Sequence, residues 1–262
     1  MSEKKMGQAV VCSQIQIAEG IYDLTLRMPE IAEQARAGQF VALYSEDASR
    51  LLPRPISLCG FDADKGTIRL VYRIAGAGTR EFSGLKEGDT IRVMGPLGNG
   101  FATVGKKAML VGGGIGLPPM LELAKQMNRK EPGTVGSIVL GYRDAPTFLL
   151  KEFEEQGRTV VATEDGSLGT KGNVLDAIRA KRVDADVIYA CGPKPMLRAL
   201  KDYAISQDME CYISMEERMA CGIGACLACV CKTKEPNEHT NVCNARVCVD
   251  GPVFDAREVE LS

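Results

Sequence analysis

The sequence predicts a multi-domain β plus α/β protein: an antiparallel β-barrel, then a doubly wound parallel-sheet domain, then a small cysteine-rich segment. Three observations lead to this prediction. Roughly the first hundred residues read as strands between turn signals, the following hundred alternate strands with helices, and six of the ten cysteines come after residue 220. We place the three parts at residues 1–102, 103–210 and 211–262.

The first part carries the period-two pattern of half-buried strands. Within 68–74, the apolar residues Ile68 and Leu70 alternate with Arg69, and glycine-containing turns separate this run from its neighbours. Several short strands with such turns favour an antiparallel barrel. The clearest predicted strands are 21–28, 39–44, 56–61, 68–74 and 90–94.

The pattern changes near Phe101, where strands begin to alternate with segments of helical periodicity. This alternation predicts a parallel sheet covered by helices, because parallel strands need a long crossover connection. The predicted strands are 108–111, 137–142, 159–163 and 186–190, with a last possible strand at 211–215. The predicted helices are 117–127, 145–156, 173–180 and 193–205.

Two turns of this second part are candidate nucleotide sites. The first lies between a strand and a helix, where bare backbone N–H groups and the positive helix end suit a diphosphate. Pro119 stands where the usual dinucleotide fingerprint has its last glycine, and many glycine turns bind nothing. The second turn ends a later strand, at the sheet edge where open α/β folds bind ligands. The first turn contains Gly112, Gly113, Gly114 and Gly116, and the second contains Cys191, Gly192 and Pro193.

The barrel part carries another group of candidates. On a predicted strand, an arginine and a hydroxyl stand close enough to contact a flavin and its diphosphate. Taken alone, this motif reads equally as an edge-strand arginine beside turn prolines. A second basic-plus-hydroxyl pair and another stretch of bare backbone follow downstream. The first motif is Arg54, Pro55, Ile56 and Ser57, and the second set is Tyr72, Arg73, Gly78 and Thr79.

The C-terminal cysteines have the spacing of an iron–sulfur site. Four residues separate Cys221 from Cys226 and two separate Cys226 from Cys229, which is the plant-type spacing for a [2Fe-2S] cluster. A fourth thiolate must come from downstream. The alternative is a structural zinc, although zinc sites more often pair two Cys-x2-Cys hooks. The candidates for the fourth ligand are Cys231, Cys243 and Cys248.

Composition and missing motifs exclude several functions. The net charge of −2 and the pI of about 5.7 provide no basic field for nucleic acid. The first residues lack the apolar run of a signal peptide, so we expect a cytoplasmic protein without a membrane segment. The single histidine, His239, lies in a polar stretch and reads as a surface residue. No nucleophile elbow, Walker loop or histidine pair of a zinc hydrolase is present. Of the function classes considered, electron transfer and hydride transfer are the ones that these observations leave.

Together these motifs resemble the ferredoxin-NADP reductase superfamily, in which a flavin-binding barrel precedes a nicotinamide-binding domain. The closer resemblance is to the electron-transfer subunits of class B dihydroorotate dehydrogenases. It rests on motifs that reach from end to end of the chain, including Arg-Pro-Ile-Ser, Gly-Gly-Gly-Ile-Gly, Met-Ala-Cys-Gly-Ile-Gly-Ala-Cys and Val-Cys-Val-Asp-Gly-Pro.

This resemblance implies a role for each candidate residue. Parts 1–102, 103–210 and 211–262 become the FAD-binding barrel, the NAD-binding domain and the [2Fe-2S] segment. The Val-Cys-x-Asp-Gly-Pro context selects Cys248 as the fourth cluster ligand. The implied FAD contacts are Arg54, Pro55, Ile56, Ser57, Val71, Tyr72, Arg73, Gly78 and Thr79. The implied NAD contacts are Gly112, Gly113, Gly114, Gly116, Cys191, Gly192 and Pro193, and the implied cluster ligands are Cys221, Cys226, Cys229 and Cys248.

The resemblance also implies a partner. A catalytic subunit with its own FMN would oxidise dihydroorotate in pyrimidine biosynthesis, in a two-plus-two heterotetramer, and this chain would pass the electrons through the cluster and FAD to NAD⁺. Other flavin/iron–sulfur subunits, of sulfide dehydrogenase or NADPH:ferredoxin transhydrogenase type, share the layout. A zinc-stabilised regulatory or scaffold subunit is an alternative of another class. Arg143 leaves NAD and NADP both open, since its side chain could meet a 2′-phosphate or solvent.

Overall fold

A computed structural model describes residues 3–237 and 241–261, and its first part is a closed barrel of six antiparallel strands. Two short helices, α1 (Pro29–Ala32) and α2 (Ala77–Phe82), connect strands of the barrel. The barrel order is β1-β2-β5-β4-β3-β6, which confirms the antiparallel architecture. The strands are β1 (Lys5–Ala18), β2 (Ile21–Arg27), β3 (Phe40–Leu43), β4 (Arg54–Asp62), β5 (Thr67–Arg73) and β6 (Thr90–Leu97).

The longest barrel strand, β1, is absent from the strands predicted above. Its apolar residues lie on both faces: Ala9 and Val11 are buried, whereas Met6, Val10 and Ile15 are exposed. Mixed faces remove the contrast between inward and outward positions that identifies a half-buried strand. Its place in the barrel comes from pairing with β2 and β6, which is tertiary information.

The second part is a seven-stranded sheet of order β10-β9-β8-β7-β11-β12-β15, parallel except for β15. This confirms the predicted doubly wound α/β domain. Its parallel strands are β7 (Ala108–Gly113), β8 (Val135–Tyr142), β9 (Thr159–Thr163), β10 (Thr170–Lys171), β11 (Val187–Cys191) and β12 (Glu210–Ser214). Its helices are α3 (Leu117–Lys130), α4 (Leu150–Glu154), α5 (Val174–Ala180) and α6 (Lys194–Ser206). None of the described helices is long and apolar enough to span a bilayer.

Helix α4 is shorter than the predicted 145–156. Pro146 disfavours the helical conformation for the residue before it. Leu149 has a left-handed φ of 63°, so the chain turns there before the helix starts at Leu150. The helical periodicity of 145–149 therefore does not correspond to a helix.

The C-terminal part packs against the α/β domain. Its strands are β13 (Val230–Lys232), β14 (Asn244–Arg246) and β15 (Val253–Asp255), and β15 extends the large sheet beside β12. Val247, Phe254 and Val259 are buried in the same core as Ile188 and Leu197. The C-terminal segment therefore shares the core of the α/β domain. His239 lies outside the described residues.

A charge network joins the barrel to the α/β domain. Arg69 on β5 contacts Asp23 at 2.5 Å and Glu152 on α4 at 2.7 Å, and Lys125 on α3 reaches Glu152 at 3.0 Å. Hydrogen bonds from Arg69, together with Lys125, outweigh the effect of burial and lower the pKa of Glu152 to about 2. Glu152 is therefore ionised over the whole range in which the protein is expected to be folded.

We expect Glu152→Gln to reduce the free energy of unfolding by about 2 kcal/mol near neutral pH. The folded pKa of Glu152 lies below its ordinary 4.5, so its contribution is present above that value and is lost as the pH falls toward about 2. Chemical denaturation of both proteins between about pH 7 and about pH 3 should show the difference narrowing on the acid side. Glu154→Gln, an exposed neighbour on α4, is the control. A constant difference across the range would contradict the assignment.

Candidate functional site

A cavity of about 970 Å³ lies between the barrel and the α/β domain. Its size falls at the upper end of the range for small-molecule and cofactor sites. The residues that line it include most of the flavin candidates, and Ile115 from the glycine turn also reaches it. The flavin candidates among its lining are Arg54, Pro55, Ile56, Ser57, Val71, Tyr72, Arg73 and Thr79.

Gly78, the remaining flavin candidate, supports Arg54. A Cβ atom at Gly78 would lie 2.5 Å from Nε of Arg54 and 2.9 Å from its Cζ. The missing side chain at Gly78 therefore leaves room for the guanidinium of Arg54 at the cavity. Nη1 of Arg54 donates a hydrogen bond to the carbonyl of Leu52. A fixed cation beside exposed backbone suits a diphosphate.

Two flavin candidates shape the cavity more than they offer groups to a ligand. Tyr72 donates its hydroxyl to Gln14 at 2.9 Å, and its ring stacks on Tyr22 inside the barrel. Oγ1 of Thr79 accepts the N–H groups of Ala75 and Gly76 at 2.9 and 3.2 Å. Both side chains are thus satisfied within the barrel and fix the backbone that faces the cavity.

Residues 45–53, here called the strap, form one wall of the cavity, and Glu81 on α2 anchors them. Glu81 accepts the backbone N–H of Glu46 at 2.9 Å and hydrogen bonds from Ser45 and Arg50. These three bonds outweigh burial and lower the pKa of Glu81. Arg50 and Leu51 of the strap line the cavity, and Leu51 is 83% exposed. The sequence offered no signal for this wall.

We expect Glu81→Gln to accelerate FAD dissociation roughly tenfold, because it weakens charge-assisted hydrogen bonds that hold the strap. The rate is measured from the rise of flavin fluorescence after dilution. Glu87→Gln, an exposed residue of the same barrel, is the matched control. Equal rates in the variant and the wild type would show that the strap does not retain the flavin.

The two nucleotide turns contact each other at the carboxyl edge of the large sheet. β7 ends at Gly113, a single 3-10 turn spans Gly114–Gly116, and α3 begins at Leu117, so the N-terminus of α3 lies at this edge, where Pro118 and Pro119 carry no N–H. A Cβ atom at Gly116 would lie 2.5 Å from the carbonyl carbon of Cys191 and 2.6 Å from the nitrogen of Gly192. The structure therefore brings all seven nucleotide candidates to one place, next to the flavin cavity.

Residues Ser214–Met219, here called the connector, are functional candidates that the sequence analysis missed. They follow β12, line the cavity opposite Arg73 and lead to Cys221. Glu216 lines the cavity with an exposed side chain, and desolvation by the surrounding protein raises its pKa against the opposing effect of Arg73. Glu217 pairs with Lys194, next to the second nucleotide turn, at 2.6 Å. The only signal in the sequence was the position of the Met-Glu-Glu-Arg-Met stretch between the last strand and the first cysteine.

The four predicted cluster ligands come together as two pairs. Cys226 lies close enough to Cys221 to lower its pKa, and Cys229 lies close enough to Cys248 to raise its pKa. The sulfur of Cys221 accepts the N–H groups of Ile223 and Ala225 at 3.4 and 3.3 Å. The N–H of Cys248 donates to the sulfur of Cys229 at 3.4 Å. Two thiolate pairs surrounded by N–H donors fit a two-iron cluster, which takes two ligands per iron.

The pKa values of two of these thiols are shifted in opposite directions from the ordinary value of a cysteine. Burial works to raise the pKa of Cys221, but hydrogen bonds from Ile223, Cys226 and Ala225 outweigh it and lower the pKa to about 6. Burial and the neighbouring Cys229 raise the pKa of the Cys248 thiol to about 12. The loop around Cys221 therefore favours the thiolate form even without a metal ion, whereas the Cys248 thiolate needs the charge of a metal ion to stabilise it.

The rival fourth ligands lie elsewhere in the segment. Cys231 is a buried residue of β13 opposite Ala245, and burial raises the pKa of its thiol to about 11. Cys243 is exposed, with its sulfur 3.8 Å from the carbonyl of Lys234. Within residues 3–237 and 241–261, no three Cys, His, Asp or Glu side chains converge so as to hold a single ion. All ten cysteines are free thiols.

Three family models match successive parts of the chain. Residues 8–101 match the oxidoreductase FAD-binding domain, and residues 110–202 match the oxidoreductase NAD-binding domain. Residues 216–260 match the iron–sulfur cluster binding domain of dihydroorotate dehydrogenase B. The cofactor set predicted from the sequence, FAD, NAD and a [2Fe-2S] cluster, is thereby confirmed as to class.

Curated relatives cover nearly the whole chain. The dihydroorotate dehydrogenase B (NAD(+)) electron transfer subunit of Geobacillus sp. (strain WCH70) is 48% identical over 98% of this chain and 99% of that protein. The chain belongs to the family of dihydroorotate dehydrogenase B electron transfer subunits. The subunit of the same name from Listeria monocytogenes serovar 1/2a is 46% identical over 96% of this chain and 97% of that protein. The family resemblance stated from motifs is confirmed, and the chain is an oxidoreductase subunit.

Two solved structures share the fold of this chain. A structure described as an NADH-dependent reduced ferredoxin-NADP oxidoreductase, studied for flavin-based electron bifurcation, matches with a TM-score of 0.86 and 30% identity. The match covers 97% of this chain and 90% of that chain. A cytochrome P450 reductase from Amycolatopsis matches at a TM-score of 0.69 and 24% identity over 80% of this chain and 68% of that chain, which supports the fold.

Proposed function

We propose that this chain relays electrons from the FMN-containing catalytic subunit of dihydroorotate dehydrogenase through a [2Fe-2S] cluster and FAD to NAD⁺, in pyrimidine biosynthesis. We further propose a two-plus-two heterotetramer that acts in the cytoplasm, a compartment that keeps cysteines reduced and so available for a cluster. One observation supports the relay most strongly. The connector touches the flavin cavity and the second nucleotide turn, and then leads directly to the first cluster cysteine.

In this proposal the barrel binds and orients FAD. Arg54, seated on Gly78, neutralises the diphosphate, and Ser57 and Arg73 offer a hydroxyl and a cation to the flavin. Val71 and Ile56 provide apolar lining, while Tyr72 and Thr79 hold the surrounding backbone. FAD suits this position because, when bound, it exchanges hydride with a nicotinamide and single electrons with an iron–sulfur cluster.

The nucleotide turns hold NAD at the edge of the flavin cavity. The open backbone at Gly114 would face the diphosphate, whereas the missing side chains at Gly112, Gly113 and Gly116 let α3, Met196 and the second turn pack closely around it. The N-terminus of α3 adds its partial positive charge. Cys191, Gly192 and Pro193 would hold the nicotinamide cofactor beside the connector, whose Glu216 acts electrostatically on Cys191. The relatives are named as NAD(+) subunits, which supports NAD over NADP. Arg143 then faces solvent, where its side chain is exposed.

The cluster loop presents one face to the flavin and another to the outside. Cys221 follows the connector, whereas Cys226 is exposed. Around Cys226 lie Ile223, Leu227 and Val230, with exposures of 45%, 56% and 38%. Exposed apolar residues that border a ligand cysteine suit a protein interface. We assign this face to the catalytic subunit, so that electrons enter beside Cys226 and leave along the connector.

The proposal is tested by co-expressing this chain with a dihydroorotate dehydrogenase catalytic subunit. The expected result is a co-purifying complex that reduces NAD⁺ with dihydroorotate, while the catalytic subunit alone does not. The isolated chain should absorb beyond the flavin bands and bleach on reduction with NADH. A colourless, zinc-containing chain would instead support the scaffold alternative, and a coloured chain that neither binds the catalytic subunit nor supports this turnover would contradict the assigned substrate.

A second candidate is a subunit of a ferredoxin-dependent transhydrogenase or a related sulfide dehydrogenase. The structural match at a TM-score of 0.86 to the NADH-dependent reduced ferredoxin-NADP oxidoreductase favours it. That match has 30% identity, against 48% for the dihydroorotate dehydrogenase relative. Reduced ferredoxin in place of dihydroorotate separates the two: turnover with ferredoxin alone would support the second candidate.

A further inference from the structure

Beside the cluster loop lies an ion pair that neither the family models nor the roles above assign. Arg246 and Asp250 make two parallel bonds: Nε to Oδ2 at 3.0 Å and Nη2 to Oδ1 at 3.0 Å. The backbone N–H of Arg246 also donates to Oδ2 of Asp250 at 2.7 Å. Such a bidentate pair fixes the plane of the guanidinium.

The free edge of this guanidinium touches the cluster loop. Nη1 of Arg246 donates to the carbonyl of Gly224 at 3.4 Å. Gly224 stands between Cys221 and Cys226 in the sequence, and a Cβ atom on it would lie 2.6 Å from Cγ2 of Val249, the residue after Cys248. The cation therefore contacts a residue that is flanked by two cluster ligands and packs beside the neighbour of a third.

The same pair frames the fourth ligand. Cys248 lies within the turn that Arg246 and Asp250 close, and the N–H groups of Val249 and Asp250 donate to the carbonyl of Arg246 at 3.0 and 2.8 Å. The side chains of Arg246 and Asp250 are only 24% and 23% exposed. Partial burial limits screening by solvent, so both charges act on their surroundings.

The two charges should act on the cluster in opposite directions. Reduction of a [2Fe-2S] cluster adds one electron and so one negative charge. A cation next to the ligands stabilises the reduced form, and an anion destabilises it. Arg246 reaches the cluster loop directly, whereas Asp250 lies behind it and holds it in place.

We propose that the Arg246–Asp250 pair sets the reduction potential of the cluster: Arg246 raises the potential, and Asp250 orients the guanidinium and offsets part of its charge. This inference rests on the proposed function only in assuming that the chain binds the cluster. The electron arrives from the catalytic subunit and leaves toward FAD, so no additional reactant is required. Arg246 and Asp250 are positioning residues that exchange neither electrons nor protons.

The test is a redox titration of the full chain with bound cofactors, followed by the EPR signal of the reduced cluster. In Arg246→Gln the equilibrium between oxidised and reduced cluster should shift roughly tenfold toward the oxidised form, which corresponds to a midpoint about 59 mV more negative. In Asp250→Asn the midpoint should move to more positive values. Arg246→Lys keeps the charge and should stay closer to the wild type than Arg246→Gln.

The control is a second Arg–Asp pair of the same chain. Arg257 reaches Asp208 at 3.5 Å at an exposed position, and Arg257→Gln should leave the midpoint at its wild-type value. Shifts of the same sign in Arg246→Gln and Asp250→Asn, or no shift beyond that of the control, would overturn the proposal. If Arg246→Gln fails to retain the cluster, Asp250→Asn and Arg246→Lys still decide the sign. A wild-type chain without an EPR-active cluster would refute the proposed function instead.

Discussion

Cys226→Ala is expected to lower dihydroorotate-dependent NAD⁺ reduction by the assembled complex at least roughly a hundredfold. Cys226 is the exposed member of the first sulfur pair, and removing it leaves one iron with a single thiolate in place of two. The transfer of hydride between NADH and FAD does not pass through the cluster. NADH-driven reduction of an artificial dye should therefore persist in the same preparation.

The matched control for Cys226→Ala is Cys243→Ala. Both cysteines are exposed and lie in the C-terminal segment, but Cys243 belongs to neither sulfur pair. It should retain the visible spectrum and most of the turnover. The ligand assignment would be wrong if the two variants lost the cluster equally, and the relay would be wrong if Cys226→Ala lost the cluster and kept the turnover.

We expect Gly116→Ala to reduce kcat/KM for NADH by roughly a hundredfold or more, through a higher KM. The reason is that the added methyl group forces the two nucleotide turns apart. The added methyl group would lie 2.5 Å from the carbonyl carbon of Cys191 and 2.6 Å from the nitrogen of Gly192. Both are backbone atoms, so relief requires the two nucleotide turns to move apart rather than a side chain to rotate. Steady-state kinetics with NADH and a dye acceptor measure the loss, and thermal denaturation reports the change in stability.

Two further glycines calibrate this result. Gly114 has a left-handed φ of 54° and open space around it, so Gly114→Ala costs about 1–2 kcal/mol of stability from conformation alone. Any larger loss of NADH binding in this variant would come from the methyl group meeting the diphosphate. A methyl group at Gly105 would meet Glu131 at an ordinary 3.6 Å, so Gly105→Ala should match the wild type. If Gly116→Ala proved no more damaging than Gly105→Ala, the contact between the turns would have no role in nucleotide binding.

Much of the architecture followed from periodicity, because each element has one face in a core. The strands around Ile68–Arg73 and the helix from Leu117 contrast buried with exposed positions, and both are present in the structure. β1 lacks that contrast, since Val10 and Ile15 are exposed beside buried Val11. Strand β1 therefore could not be predicted without knowing that it pairs with β2 and β6. Local conformation also overrode periodicity at Leu149, where the left-handed backbone shortens α4.

The candidate site was predictable where adjacent residues supply the chemistry. The cysteine spacing, the glycine turn and the Arg54–Ser57 motif are such cases, and their residues converge in the structure. Glu216 and Glu81 were not predictable, because their roles depend on Arg73 and on the strap, which lie far away in the chain. The roles of Glu216 and Glu81 could not be predicted because the residues they interact with are distant in the sequence, not because the local sequence patterns are weak.

The antiparallel pairing of β12 with β15 has a consequence for electron flow. Ser214 lies opposite Val253 and Ile213 opposite Phe254, and the N–H of Met215 donates to the carbonyl of Pro252 at 2.9 Å. The iron–sulfur segment thus leaves the sheet at the end of β12 and returns to it at β15, the neighbouring strand. A cluster in this segment cannot move between its electron donor and acceptor, as a cluster in a flexibly tethered domain can. The β12–β15 pairing would hold the distance between a bound cluster and a bound flavin constant, so the rate of electron transfer should be insensitive to solvent viscosity.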